Sequence, residues 1–156
     1  MTSPAVKPQA ATTQVYSIFI RATPEQVWEA ITTPEFTRRY FHGSEIDSTF
    51  EPGSPYKSWS PTHEQLWVEG EVVESNPPER LVHTWLSLYD EEAAGEQPSR
   101  VAWEIELKDG GITKLTVVHD RLERSPKTAA GVSGGWMYVL SGLKTVLETG
   151  ASLESA

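Results

Sequence analysis

The sequence predicts a two-layer α+β domain, in which an antiparallel sheet is covered on one face by a long C-terminal helix. Seven runs of alternating residues predict strands, and the tight turns between consecutive runs predict antiparallel pairing. The helix is predicted over residues 125–150, as one rod or as two pieces. Its second half gathers apolar side chains on one face at helical spacing, namely Trp136, Val139, Leu140, Leu143, Val146 and Leu147.

The ends of this helix carry recognisable signals. Ser125 and Pro126 suit the N-cap and the first helical position, and Gly150 suits the residue after the last turn. Glycines lie between these ends, although each costs about 1 kcal/mol relative to alanine inside a helix. They predict either a break or a bare surface that another group can approach closely. These glycines are Gly131, Gly134 and Gly135.

The N-terminal part predicts one strand followed by two short helices. Residues 13–21 alternate and are rich in β-branched and aromatic side chains, which favours a strand. Thr23-Pro24-Glu25 and Thr33-Pro34-Glu35 each combine a cap residue, a proline and an acid, which is typical of a helix start. Two such starts in direct succession predict a V-shaped pair rather than one rod.

Six further strands are predicted before the long helix. Their ranges are 45–50, 55–60, 66–74, 81–86, 100–107 and 112–119. The acidic stretch 89–98 predicts a solvated hairpin loop, and Asp109-Gly110-Gly111 predicts a tight hairpin turn. One face of the sheet is expected to be polar, while the other packs on the helix.

Length and composition indicate one domain and exclude several classes of partner. We predict a disordered tail over 1–12, a single domain over 13–150 and a C-terminal tail over 151–156. The formal charge of −9 argues against nucleic-acid binding, because phosphate binding requires a basic surface. No apolar run is long enough for a membrane span, and the N-terminus lacks a secretory pattern. With no cysteine in the chain, a cytoplasmic location is expected.

Four separated segments, in the right order, resemble one known superfamily. They are ATPEQVWEAITTPEFTRRYF (22–41), GEVVESNPPERLVHTW (70–85), ITKLTVVHD (112–120) and GGWMYVLSGLKTVLETG (134–150). They resemble the START-like helix-grip (SRPBCC) superfamily, and most closely the branch named after the activator of the heat-shock chaperone ATPase. The resemblance covers residues 13–150. Met137, Tyr138 and Val139 replace charged residues common in this helix, which is therefore more apolar than is usual in the branch.

The resemblance implies a curved sheet that grips the long helix, with a cavity between them. The superfamily includes lipid carriers, plant hormone and allergen proteins, and polyketide cyclases. It has no universal catalytic motif, so no catalytic residue is carried over to this chain. The branch name also implies a possible chaperone or other protein partner. The oligomeric state stays open.

Surplus aromatic residues on the elements expected to face the cavity suggest a site for a small hydrophobic or aromatic molecule. The alternative is that these side chains fill the interior as a solid core. The candidate cavity residues are Tyr40, Phe41, Trp59, His83, Trp85, Trp103, His119, Trp136 and Leu140. His83 and His119 share strand faces with apolar residues. They are expected either to be hydrogen-bonded core residues or to offer a polar contact to a ligand, with general-base catalysis a third possibility.

No sequence motif supports a metal, cofactor or nucleophile site. There is no pair of histidines at helical spacing, no phosphate loop, no dinucleotide-binding glycine pattern and no nucleophile elbow. Three functions therefore remain. The first is non-catalytic binding of a hydrophobic ligand, the second is an interaction module that docks on a chaperone or another protein, and the third is an enzyme of cyclase or hydrolase type.

Overall fold

The computed structural model describes residues 11–153. The strands are β1 (Gln14–Ile20), β2 (Glu45–Asp47), β3 (Pro55–Trp59), β4 (Leu66–Asn76), β5 (Arg80–Ser87), β6 (Ser99–Leu107) and β7 (Thr113–Asp120). The helices are α1 (Pro24–Thr32), α2 (Pro34–Tyr40), α3 (Glu91–Ala94), α4 (Pro126–Val132) and α5 (Gly135–Thr149). This order confirms the predicted two-layer α+β fold. In this part of the chain no helix is long and apolar enough to cross a membrane.

The seven strands form one antiparallel sheet in the order β1-β7-β6-β5-β4-β3-β2. Register shifts interrupt β3 after Ser58 and β4 after Val72, and such bulges increase the local twist. At Gly70 the backbone of β4 passes so close to β5 that a Cβ atom would lie 2.0 Å from the Thr84 carbonyl oxygen. Only glycine fits at this close approach of the two strands.

The helices α1 and α2 form the predicted V-shaped pair. Thr23 and Gln26 make a reciprocal capping box at the start of α1. Tyr40 joins the pair to the rest of the core, because its hydroxyl donates to the Ala30 carbonyl at 2.7 Å and its Cβ lies against Gly142 of α5. A Cβ at Gly142 would lie only 3.2 Å from that of Tyr40, so the glycine permits close approach of α2 and α5.

The C-terminal helix is two pieces, one of the alternatives the glycines predicted. Gly134 has φ +85°, a backbone conformation that separates α4 from α5, and Gly150 ends α5 in the left-handed conformation with φ +79°. Ser125 is the N-cap residue of α4 and Pro126 begins the helix, as predicted, but the Ser125 hydroxyl donates to the Gln97 carbonyl and makes no capping bond. The Glu96 carboxylate accepts instead from the backbone N–H groups of residues 127 and 128, at 2.7 and 3.0 Å.

The stretch predicted as a solvated loop over 89–98 is also different. It contains the short helix α3, capped by Asp90, and Ala93 is buried. Its acidic residues include Glu96, which the sequence pattern could not assign as the cap of α4. Within the predicted tail over 1–12, the carbonyls of Ala11 and Thr12 accept hydrogen bonds from Gln14 and Leu122. Residues 1–10 and 154–156 lie outside the described residues.

Candidate functional site

A cavity of about 410 Å³ lies between the sheet and the two C-terminal helix pieces. Its wall comes from the end of α2, from β3, β4 and β5, and from α4 and α5. The lining residues are Phe41, His42, Ser44, Ser58, Trp67, Val68, Trp85, Tyr89, Gly131, Val132, Gly135, Trp136 and Val139. His42, Tyr89 and Gly131 are exposed, so this side of the cavity opens to solvent.

Two of the three helix glycines leave this space open. A Cβ atom at Gly135 would have no atom within 4 Å, and a Cβ at Gly131 would meet only the Tyr89 hydroxyl at 3.5 Å. Neither residue has a positive φ, so neither backbone conformation requires glycine. Gly134 separates α4 from α5, whereas Gly131 and Gly135 leave the helix surface facing the cavity without side chains.

Aromatic rings form the inner end of the cavity. Trp85 of β5 and Trp136 of α5 have ring centroids 5.7 Å apart, and Phe41 packs against both at 6.4 and 5.8 Å. Trp103 lies behind Trp136 at 5.3 Å in an edge-on contact. Offset and edge-on packing of this kind holds flat apolar surfaces in fixed positions.

Each of two buried histidines is paired with a tryptophan. Trp103 Nε1 donates to His83 Nε2 at 3.0 Å, while His83 Nδ1 donates to the Thr84 carbonyl at 2.9 Å. His83 also stacks on Tyr56, with ring centroids 3.6 Å apart. These bonds define the tautomer of His83 and leave it no free ring nitrogen.

His119 has the opposite tautomer. Trp136 Nε1 donates to His119 Nδ1 at 3.1 Å, and His119 Nε2 donates to Ser99 Oγ at 2.7 Å. Ser99 Oγ in turn donates a hydrogen bond to the Trp85 carbonyl at 3.2 Å. Burial lowers the pKa of His83 to about 3 and the pKa of His119 to about 4, so both rings are neutral near pH 7.

The nine predicted cavity residues fall into three groups. Phe41, Trp85 and Trp136 line the cavity. Tyr40, Trp103, Leu140, His83 and His119 are buried in the surrounding core and are not lining residues. His83 and His119 are hydrogen-bonded core residues, the first of the two expectations. They offer no polar contact to a ligand, because every ring nitrogen of both residues is already bonded within the protein.

Trp59 is not part of the cavity. β3 directs Tyr56 and Ser58 into the interior, so alternation directs Trp59 to the opposite face, where it stacks on the exposed His63 at 6.0 Å. Ser58, its neighbour, lines the cavity instead. The alternation of β3 places Ser58 on the same face as the buried Tyr56, whereas aromatic character alone favours Trp59, on the opposite face.

The cavity wall carries no formal charge, since its lining residues include no Asp, Glu, Lys or Arg. Among residues 11–153 no group of three His, Asp or Glu side chains could hold a metal ion. A second depression of about 430 Å³ lies beside α1, and half of its lining residues, namely Thr49, Glu51, Pro52 and Pro77, are exposed. The first cavity, with its aromatic wall, is therefore the candidate site.

Comparison with known proteins identifies the family. The model of the family described as "Activator of Hsp90 ATPase homolog 1-like protein" matches residues 21–148. The chain belongs to this family. The match confirms the resemblance drawn from the four sequence segments. No curated protein matches the chain.

Solved structures similar to this family member share its helix-grip fold. DynU16, from the dynemicin biosynthetic locus, is 22% identical with a TM-score of 0.73 over 91% of this chain and 49% of its own. The present chain thus spans about half the length of DynU16. PFC0360w, an Hsp90 activator from Plasmodium falciparum, is 19% identical with a TM-score of 0.71 over 88% of this chain and 97% of its own.

A third similar structure is that of the Aha1 dimer from Colwellia psychrerythraea. It is 19% identical, with a TM-score of 0.70 over 90% of this chain and 98% of its own. At these identities the similarity demonstrates the fold alone.

Proposed function

We propose that this protein binds an apolar, aromatic small molecule in the cavity between the sheet and α5, as a non-catalytic carrier or sensor. The observation that carries the proposal is the cavity of about 410 Å³ with Phe41, Trp85 and Trp136 in its wall. Its volume lies within the range of about 300–1,000 Å³ typical of small-molecule sites, which are mostly apolar with few polar groups.

The chemistry of the wall supports binding rather than catalysis. A general acid or base must reach the substrate with a free proton-accepting or proton-donating atom. His83 and His119 have no such atom, because both nitrogens of each ring are bonded within the protein. Of the cavity-lining residues only His42 carries an imidazole, and it lies at the exposed side.

The expected affinity follows from the buried surface. Burying about 500 Å² of combined apolar surface at about 25 cal/mol per Å² contributes about 12 kcal/mol. An association cost of about 4 kcal/mol leaves about 8 kcal/mol, which corresponds to a micromolar dissociation constant. Titration with the neutral fluorescent probe N-phenyl-1-naphthylamine is suited to this range, because tryptophans line the site and their emission should be quenched on binding.

Gly135→Leu gives a direct test of where the probe binds. The added side chain enters open space at the cavity wall, and no positive φ opposes it. We expect probe binding to fall by more than tenfold, while the free energy of unfolding stays equal or rises by about 0.4–1 kcal/mol, as for glycine replacement at a compatible site. The matched control is Ala130→Leu, which adds a side chain of the same type at an exposed position of α4 that does not line the cavity.

Two results would contradict the proposal. One is a folded wild-type protein that binds no neutral apolar probe. The other is a Gly135→Leu variant that binds the probe as tightly as the wild type, since binding would then take place elsewhere, for example in the depression beside α1.

A second candidate function is docking on a partner protein. It is favoured by family membership and by the exposed apolar neighbours Met137 and Tyr138, which are 59% and 38% exposed on α5. ATP hydrolysis by an Hsp90 chaperone, measured with and without this protein, tests it. Stimulation lost in Met137→Ser but kept in Gly135→Leu would favour docking, whereas no stimulation at all would leave ligand binding as the function.

A further inference from the structure

We infer that the ligand is an uncharged aromatic molecule with one hydrogen-bonding oxygen, and that Ser58 Oγ is the group that binds this oxygen. The inference rests on the proposed function and makes it more specific. It names a residue that selects the ligand and the chemical class that this residue selects.

The hydroxyl of Ser58 stands apart from those of the other buried serines. Ser44, Ser60, Ser87, Ser99 and Ser125 each have a hydrogen-bonded hydroxyl. Ser58 is only 7% exposed, lines the cavity, and has no side-chain hydrogen bond to any residue in the described range 11–153. The Ser58 hydroxyl is therefore not used within the protein and is available to a group in the cavity.

The Ser58 oxygen is accessible from the cavity. Among the described residues no side-chain nitrogen or oxygen that is fully inaccessible lacks a hydrogen bond. Ser58 Oγ lacks a bond, so this atom must have accessible surface, and the space that its residue lines is the cavity. A hydroxyl both donates and accepts, and therefore suits a phenol or a carbonyl oxygen.

The remaining polar groups of the wall are bonded or lie less deep. Trp85 Nε1 donates to Ser87 Oγ and Trp136 Nε1 donates to His119. Ser44 Oγ donates to the Phe41 carbonyl. The Trp67 indole has no protein partner but is only half-buried, while His42 and Tyr89 are exposed. Ser58 is thus the buried lining residue whose polar group remains for a ligand.

The wall also selects against charged ligands. No lining side chain carries a formal charge, so an ionised ligand group would lose its hydration without a counter-charge. Anions are further opposed by the electrostatic field, because Asp90, Glu91 and Glu92 directly follow the lining residue Tyr89 and the formal charge of the chain is −9.

Naphthalene and two of its derivatives test both parts of the inference. The affinities of naphthalene, 2-naphthol and 2-naphthoate are measured at neutral pH by displacement of N-phenyl-1-naphthylamine from the wild type and from Ser58→Ala. We expect the ratio of naphthol to naphthalene affinity to be about three- to tenfold lower in Ser58→Ala, the value of one neutral hydrogen bond. The ratio cancels differences in ligand hydration. For 2-naphthoate we expect binding at least about tenfold weaker than that of 2-naphthol in the wild type.

Two matched variants isolate Ser58. Ser44→Ala removes another cavity-lining hydroxyl, but one already bonded within the protein, and Trp67→Phe removes an indole N–H while retaining an aromatic ring. Both should keep the wild-type ratio. Ser58→Ala should be at least as stable as the wild type in urea unfolding, because no protein hydrogen bond is lost.

The outcomes separate this inference from the proposed function. If the wild type binds none of the probes, the proposed function fails. If the probes bind but the ratio is unchanged in Ser58→Ala, or falls only in Trp67→Phe, the assignment of Ser58 is overturned while the cavity remains the site. Equal binding of naphthoate and naphthol would overturn the selection of uncharged ligands.

Discussion

Mild acid should destabilise this protein through His83 and His119. Each buried ring accepts a hydrogen bond from an indole N–H, from Trp103 and from Trp136 respectively. A protonated imidazole has two N–H groups and no acceptor, so protonation would place two donors against each other at about 3 Å. Burial acts in the same direction, because the charged ring would lose its hydration.

The magnitude follows from the pKa values in the two states. In the unfolded chain each histidine has its ordinary pKa of about 6.5, whereas in the folded protein the pKa is about 3 for His83 and about 4 for His119. Between these values the unfolded state binds more protons, so the stability is complete above about pH 6.5 and is lost as the pH falls. At pH 5 each histidine should have lowered the free energy of unfolding by about 2 kcal/mol, or about 4 kcal/mol together.

Urea unfolding followed by tryptophan fluorescence at several pH values measures this loss. Between about pH 6 and 5 the free energy of unfolding should fall by about 2 kcal/mol per pH unit, because both histidines are largely protonated in the unfolded chain and neutral in the folded protein. His119→Gln should reduce this slope by about half, because one of the two titrating groups is removed. The glutamine side chain can still accept from Trp136 and donate to Ser99, but it does not titrate.

The matched control is His42→Gln, which replaces an exposed histidine that stacks on Tyr138. The slope of this variant is the reference with which that of His119→Gln is compared. A wild-type stability that is constant between about pH 7 and 5, or a His119→Gln variant with the full slope, would refute the conclusion that the two rings are buried in neutral form.

Two further substitutions test the packing around the cavity. Trp136→Ala should lower the free energy of unfolding by about 3–5 kcal/mol, and Trp136→Phe by about 1–3 kcal/mol, because the phenyl ring keeps much of the packing but leaves His119 without a donor. A Trp136→Phe variant as stable as the wild type in urea unfolding would argue against the role of the indole hydrogen bond. Gly70→Ala should cost about 2–3 kcal/mol, since its Cβ would lie 2.0 Å from the Thr84 carbonyl, and a neutral effect would show that β4 can move away from β5.

Local patterns were sufficient to predict the strands, the first two helices and the C-terminal helix, but not the short helix α3. Alternation along a strand and the helical stripe around Trp136 depend on residues close in sequence, and they indicate which side of each element is apolar. The three helix glycines also carried local information. They predicted a break or a bare surface, and the structure has both, with the break at Gly134 and the bare surface at Gly131 and Gly135.

The candidate site could be predicted only in part, because its chemistry depends on partners distant in the chain. His119 lies 17 residues from Trp136 and 20 from Ser99, and only the folded sheet and α5 bring these groups within hydrogen-bond distance. A sequence shows that a histidine lies on an apolar face, but it does not show whether both ring nitrogens are occupied.

The sequence also could not show whether Trp59 or Ser58 lines the cavity, because this too depends on elements distant in the chain. Both lie on β3, and the position of the helices relative to the sheet determines which face of that strand meets the cavity. The sequence by itself therefore determined the strands, the longer helices and their order, since these arise from local periodicity, while the one-turn helix α3 was too short to show it. The tertiary structure decided which side chains enclose the open volume and which polar groups within it lack a partner, because both are properties of packed surfaces rather than of any single element.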